Sequence, residues 1–355
     1  MIGIITIIDN NIGNRLQNFA VCKLLSNYSN VYTIIFENKN KNKFLCFIKK
    51  IIKKFFVFFI KNEKSNFYKR NFNFSYFNRI YIPSLTIVYK EKNVKSCDES
   101  FDTFVVGSDQ VWNPNFFSDM SINMLSFTKT NKKIALAPSI GVIELTDNQK
   151  SIFAKNLSDF KLLSCREEQG SKIIKEITGR ECTTLIDPTL MLSKEEWSLI
   201  EKKPIFHDET KKYILLYFLG NITQDYDKFI NLISEKYNLQ IINIYDKKSI
   251  YYSCGPSEFI YLINHSSLIL TDSFHASVFS YIFDKPLKIF NRIDDNKNMN
   301  SRLINLINIL ELPQSIFFDI NNCEINKILD KPNYDKTNLK KEQEKFYNYL
   351  DRAFK

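Results

Sequence analysis

Glycine is scarce in this chain, eight in 355 residues, and no G-x-G-x-x-G follows its first strand-like segment. A dinucleotide site built from bare backbone around a pyrophosphate is therefore not indicated. Histidine is scarcer still, with three, so few imidazoles compete for acid–base work. Seven cysteines stand at 22, 46, 97, 165, 182, 254 and 323, with no C-x-x-C pair and no zinc spacing. An odd, scattered set points to reduced thiols, to a cytoplasmic protein and to no bound metal. No uncharged apolar run reaches the about 18 residues that span a bilayer. The opening residues, Met1-Ile-Gly-Ile-Ile-Thr-Ile-Ile-Asp9, lack a basic flank. They read as a buried parallel strand and not as a targeting segment.

What the chain has in quantity is apolar mass and positive charge. Hydrophobic residues make up 44% of it, enough for two domains. The formal net charge is +10, and residues 38–70 account for all of it: eleven Lys or Arg against one acid, Glu63. The remainder sums to zero, which argues against nucleic acid as a partner and for one local anion-facing surface. Within that segment, residues 44–60 are amphipathic. Phe44, Ile48, Ile51, Ile52, Phe55 and Phe59 share one helical face, with Lys49, Lys50, Lys53 and Lys54 largely away from it. Two readings stand side by side: an interfacial helix on an anionic membrane, which would put the protein at the inner face of the cell membrane, or a core-packing helix with a solvated basic edge.

Apolar strands alternate with helical spacing along the chain, as in a parallel α/β sheet. Residues 2–9 and 31–36 are strands flanking a helix over 15–26. Further strands end in polar loops at Gly107-Ser-Asp-Gln110, Pro138-Ser-Ile-Gly141 and Arg166-Glu-Glu168. A fresh set begins at Lys212, with strands over 212–220, 240–244, 267–271 and 287–290 and helices over 226–237 and 257–264. The expected organisation is an N-terminal Rossmann-like domain over 1–192 carrying the basic amphipathic insertion 38–82. A linker over 193–212, a C-terminal Rossmann-like domain over 213–336 and a terminal helix over 337–355 that packs back across both halves complete it. The fold class is α/β, two Rossmann-like domains facing a cleft in the GT-B manner.

Ligands of such sheets bind at the carboxyl ends of the strands. Leu270-Thr-Asp-Ser-Phe-His-Ala-Ser-Val-Phe279 places His275 there, between a strand and the mouth of a helix, where free N–H groups and the positive dipole end suit a phosphate or carboxylate. Asp109, Gln110 and Trp112 offer hydrogen bonds and a flat apolar surface for a sugar, although Trp112 reads equally as core. Asn11, Asn14 and Gln17 stand on the first strand–helix turn. Asp272 and Asp187 read as turn-fixing residues. Asp225-Tyr-Asp227 spells a DxD pattern but sits where an acidic helix cap is common. His207 and His265 have no comparable setting.

With these turns assembled, the chain resembles the polysaccharide pyruvyl transferase family. The matching residues are Asn11-Ile-Gly-Asn-Arg-Leu-Gln17, Gly107-Ser-Asp-Gln-Val-Trp-Asn-Pro114, Arg166-Glu167, Asp187-Pro-Thr189, Thr271-Asp-Ser-Phe-His275 and Met299-Asn-Ser-Arg302, in the family's order and covering roughly residues 1–310. One departure is Ala276, where the family usually has Gly. The resemblance implies a GT-B-like fold and transfer of the enolpyruvyl unit of phosphoenolpyruvate onto two hydroxyls of a sugar, free or lipid-linked. A pyruvate ketal forms and phosphate leaves, with no tightly bound cofactor. It implies His275 as acid/base catalyst and Arg166 as anion-binding residue, with Arg302 a second candidate for the same work. Ser273, Phe274 and Ala276 would lend hydrogen bonds to an anion. Two rivals remain at this stage: a GT-B glycosyltransferase using a nucleotide sugar, and a non-catalytic glycan- or membrane-associated scaffold.

Overall fold

The computed structural model describes residues 1–37, 63–88, 91–117, 119–128, 132–293, 300–318 and 323–355. The amphipathic segment 44–60 and Met299 lie outside the described residues. The elements of the first part are β1 (Ile2–Ile5), α1 (Ile12–Leu25), β2 (Val31–Glu37), α2 (Glu63–Tyr81), β3 (Ser84–Val88), α3 (Glu91–Ser100), β4 (Thr103–Val106), β5 (Lys133–Ala135), α4 (Asp147–Leu157), β6 (Ser164–Cys165), α5 (Glu168–Thr178) and β7 (Thr183–Thr184). There follow α6 (Lys194–Ser198), β8 (Tyr213–Tyr217), α7 (Gln224–Tyr237), β9 (Gln240–Asn243), α8 (Pro256–His265), β10 (Leu268–Thr271), α9 (Phe274–Ile282), β11 (Leu287–Ile289), α10 (Asn300–Leu310) and α11 (Thr337–Phe354). No helix among the described residues is long and apolar enough to cross a membrane.

The chain divides into two compact units. The described residues of 1–40, 78–192 and 337–355 form unit 1, and those of 41–77 and 193–336 form unit 2. Unit 1 carries a five-stranded parallel sheet in the order β3-β2-β1-β4-β5. The order reverses between β1 and β4, which opens a crevice at their carboxyl ends. Inner strands of a covered parallel sheet are apolar, and Ile2–Ile5 of β1 and Phe104–Val106 of β4 are buried residue after residue, whereas Ser84, Leu85 and Thr86 of edge strand β3 are exposed. One face packs Val106 and Phe104 against Phe101, Phe153, Leu157, Phe160 and Ile174.

Trp112 belongs to that core. Its ring is fully buried, meets Phe153 and Phe160 edge-on at 6.4 and 5.9 Å, and donates its indole N–H to Asn123 O at 3.0 Å. The apolar area of tryptophan is better satisfied inside than at a sugar platform, so that expectation is corrected. Gly107, at the end of β4, has φ +140, and a Cβ there would lie 2.0 Å from Leu136 O; only glycine fits.

Unit 2 carries a four-stranded parallel sheet in the order β11-β10-β8-β9, with its reversal between β8 and β10. Its core joins Ile214, Leu216, Phe229, Ile233, Leu268, Leu270 and Phe290.

Three boundaries differ from those expected. Residues 193–212 are not a bare linker: Ser193 and Glu196 form a reciprocal capping box on α6, and Trp197 is buried against the Phe279 ring at 4.8 Å. Residues 63–77 of α2 belong to unit 2. There Arg70 Nη1 donates to Tyr252 O and Cys254 O, both at 3.1 Å, and Asn66 and Asn73 donate to carbonyls of the same loop. Helix α11 belongs to unit 1, where Tyr349 donates to Ala135 O at 2.6 Å and Gln343 to Leu190 O at 2.7 Å.

Trp112→Ala should cost about 3–5 kcal/mol in urea unfolding; a loss below about 1 kcal/mol would return Trp112 to the surface role.

Candidate active site

In unit 2 the β10–α9 turn is over-determined by hydrogen bonds. The Asp272 carboxylate is buried and accepts two backbone N–H groups from the loop after β8, Leu219 at 2.7 Å and Gly220 at 2.8 Å. It thus ties the ends of β8 and β10 together where the strand order reverses. Arg292, just past β11, sets Nε 3.5 Å from Asp272 Oδ2 and donates from Nη2 to Asp272 O at 3.2 Å. Gly220 is needed for close approach, because a Cβ there would meet Arg292 Cγ at 2.8 Å and Asp272 Oδ2 at 3.0 Å. Thr271 Oγ1 donates to Tyr217 O at 2.5 Å and accepts from Ser273 N at 3.0 Å.

This frame delivers Ser273 as N-cap of α9, Phe274 and His275 as its first residues, and Ala276 inside its first turn. His275 is 7% exposed, with the Phe274 ring edge-on at 5.3 Å. Ser273 lends no side-chain cap, and its carbonyl accepts from Ser277 Oγ at 2.9 Å. Ala276 is buried within the helix and absent from the residues with positive φ, so the position asks nothing of the backbone that alanine cannot give. The departure from the family's usual Gly therefore costs the backbone nothing here. Arg302 lies buried in the first turn of α10. Imidazole, a guanidinium on a fixed carboxylate, and the positive end of α9 therefore share one sheet edge of unit 2. Asp225 and Asp227 stand in the first turn of α7 behind the cap Thr223, as helix acids.

Unit 1 gathers its motif residues into a second network. Gln17, fully buried, donates to Thr6 Oγ1 at 2.8 Å and accepts from Ser108 N at 3.1 Å, joining the ends of β1 and β4. Asn11 caps α1 through Asn14 N at 3.3 Å, and Asn14 Nδ2 donates to Asp9 at 2.9 Å. Gln110 accepts from Asn113 at 2.5 Å. Arg166 is 3% exposed. Its Nη1 lies 2.8 Å from Asp187, its Nη2 3.4 Å from Asp109 and its Nε 3.7 Å from Glu167. Burial opposes its charge, but Asp109, Asp187 and Glu167 outweigh burial and hold its pKa above the ordinary value. The guanidinium expected to grip an incoming anion is already gripped by carboxylates of its own unit, and it acts on Asp109 and Asp187 first. Asp187 also accepts Thr189 N and Oγ1 at 3.0 and 2.7 Å, the turn-fixing role read from Asp-Pro-Thr.

A family model for polysaccharide pyruvyl transferase matches residues 11–291. The chain belongs to the polysaccharide pyruvyl transferase family. No curated protein sequence matches it. Among solved structures, the UDP-GlcNAc 2-epimerase from Neisseria meningitidis bound to UDP-GlcNAc is 11% identical over 99% of this chain and 99% of its own, with a TM-score of 0.51. A putative UDP-N-acetylglucosamine 2-epimerase from Listeria monocytogenes is 10% identical over 99% and 89%, at 0.48. Phytolacca americana UGT2 is 8% identical over 99% and 94%, at 0.43. At such identity a likeness concerns fold alone; that to the Neisseria structure, with the two parallel sheets, gives this pyruvyl transferase family member a two-domain, Rossmann-like fold of the GT-B type.

Two features of the site went unread in the sequence. Arg292 and the loop 218–221 follow strands β11 and β8, so the strand-end rule that singled out His275 applied to them too. Arg15 sits inside a quoted motif, yet its burial is visible only in the fold: it is 1% exposed, donates to Ile7 O, and desolvation lowers its pKa to about 10 against the pull of Asp9 and Asp109. No group of three or more His, Cys, Asp or Glu among the described residues is placed to hold a metal.

Asp187→Asn, which leaves a buried cation short of a charge, should cost about 3–5 kcal/mol in denaturant unfolding. Ala276→Gly should lose about 1 kcal/mol of stability with no gain in turnover; a gain would mean that the position limits ligand approach.

Proposed function

We propose that the protein transfers the enolpyruvyl unit of phosphoenolpyruvate to two hydroxyls of one sugar in a surface-polysaccharide precursor, forming a pyruvate ketal and releasing phosphate. Family membership supports a polysaccharide pyruvyl transferase. The observation that carries the finer reading is His275 in the first turn of α9, on the same sheet edge as Arg292.

The chemistry asks for little else. A protonated imidazole gives its proton to C3 of the donor, and positive charge develops at C2. The first hydroxyl oxygen bonds to C2, the C2–O bond to phosphate breaks, and the second hydroxyl oxygen closes the ketal. Two hydroxyl protons are released: one replaces the proton given to C3, and the other leaves with phosphate. Arg292 and the N–H groups at the start of α9 suit the donor's phosphate or carboxylate. The rival reading, transfer from a nucleotide sugar, draws on the same helix N-terminus and on the UDP-GlcNAc-bound structure of the Neisseria epimerase.

Purified protein with phosphoenolpyruvate and a panel of free, nucleotide-linked and lipid-linked saccharides should release phosphate and add a ketal to one of them. His275→Ala and His275→Gln should fall by about 10²–10⁴-fold in turnover while keeping the wild-type melting temperature. Thermal stabilisation by nucleotide sugars and not by phosphoenolpyruvate would transfer the assignment to the rival.

A further inference from the structure

One guanidinium of unit 2 is buried with no carboxylate beside it. Arg70, in the middle of α2, is 3% exposed, and no acid among the described residues forms an ion pair with it. Nη1 donates to Tyr252 O and Cys254 O, both at 3.1 Å. Nε and Nη2 make no hydrogen bond among the described residues and are not sealed from solvent. The cation rests on the rings of Phe74, Tyr252 and Tyr245 at 4.9, 5.0 and 5.6 Å. Glu258, close to the same loop, is spent on Gly255 N at 3.0 Å and Lys202 at 3.2 Å.

Docking α2 does not need that charge. From the same helix face Asn66 Nδ2 clamps Lys247 O and Ser249 O at 3.1 and 2.9 Å, and Asn73 Nδ2 holds Ser253 O at 2.9 Å, both as neutral amides. A Cβ on Gly255 would meet Asn73 Cβ at 2.8 Å, so helix and loop are in close contact there. Carbonyls and rings offset part of the desolvation of a buried cation, and the rest calls for an anion. The Nε/Nη2 edge presents two parallel N–H groups, the geometry that takes a carboxylate or phosphate side-on.

Arg70 stands at the carboxyl edge of the unit 2 sheet. The loop it clamps connects β9 to α8, and the Tyr245 ring near its start lies 5.3 Å from that of Tyr217, the last residue of β8. Tyr217 O accepts from Thr271, which also holds Ser273 N in the turn before His275. Burial raises the pKa of Tyr217, and Arg70 and Arg292 both pull it back, so two guanidinium charges bear on one hydroxyl.

We infer that Arg70 is a second anion-binding residue of this edge, gripping one oxyanion of the substrate side-on through Nε and Nη2 while Arg292 and the start of α9 take another. The substrate class is then a small molecule with two oxyanions: phosphoenolpyruvate with its phosphate and carboxylate, or the diphosphate of a nucleotide sugar. The inference rests on the reading of this edge as the donor site.

The test is isothermal titration of the full chain with phosphoenolpyruvate and with UDP-GlcNAc. Arg70→Gln keeps a neutral donor for the two carbonyls and removes the charge and the fork. It should raise the Kd for phosphoenolpyruvate by about tenfold to a hundredfold. Arg70→Lys should recover part of that loss, and both variants should melt near the wild-type temperature. An unchanged Kd in folded Arg70→Gln would overturn the inference and leave the pyruvyl-transfer reading intact. Wild type that ignores phosphoenolpyruvate but binds UDP-GlcNAc, with Arg70→Gln weakening it, would overturn that reading and keep Arg70 in its role. Binding of neither ligand would overturn both. Should the variants fail to fold, a structure of the wild type soaked with phosphoenolpyruvate decides: an anion oxygen bonded to Nε and Nη2 supports the inference, and a bound donor away from that edge overturns it.

Discussion

Where a parallel sheet reverses its strand order, two neighbouring strands end side by side and their connections depart to opposite faces. The backbone N–H groups just beyond those ends have lost their ladder partners and must find others. In unit 2 the Asp272 carboxylate answers that need, taking Leu219 N–H on one oxygen and Gly220 N–H on the other. In unit 1 the Gln17 amide does the same work as a neutral group, between Thr6 and Ser108. Everything at the two sheet edges is placed relative to these ties. The α9 turn can carry His275 in one position because Asp272 is immobilised from across the sheet. Arg292 is held beside it by the same carboxylate.

The two edges differ in electrical character, and the difference follows from which residues were used as ties. In unit 2 the anion is consumed internally, since Asp272 is saturated by backbone N–H groups and by Arg292. In unit 1 the cation is consumed internally, since Arg166 faces Asp109, Asp187 and Glu167. A buried guanidinium with three carboxylates is far costlier to break than to keep. Its work is therefore to fix the loops after β4 and β6 and the turn at Asp187. This explains how three scattered motifs become one structure: each supplies a member of a single ion network.

Much of the architecture was legible from pattern. The strands over 2–5, 213–217 and 268–271 follow from buried apolar runs ending at polar turns, those over 31–37 and 240–243 from half-buried ones, and the helices over 224–237, 256–265 and 337–354 from their periodicity. The misreadings share a cause. Residues 193–212 are rich in lysine and acid and read as a linker, yet one capping box and one buried tryptophan fold their start into unit 2. Helix α2 alternates Phe and Tyr with Asn and Arg, and its polar residues are spent on carbonyls of the 247–254 loop more than 170 positions away in sequence. Composition describes what a segment would do in water; the start of the first segment and the polar residues of the second are instead packed on groups distant in sequence.

The sequence by itself determined the α/β class, the parallel sheets, the location of His275 at a strand–helix turn and the motif set that the family shares. These are local properties, written in periodicity, caps and short spacings. Only the tertiary structure decided that Trp112 is core, that Arg166 is committed to carboxylates, that Arg292 stands with Asp272, and that position 276 needs no positive φ. Each of those depends on which groups distant in sequence come within about 3–4 Å of one another, and at that distance burial and charge, unlike spacing, set what a side chain is free to do.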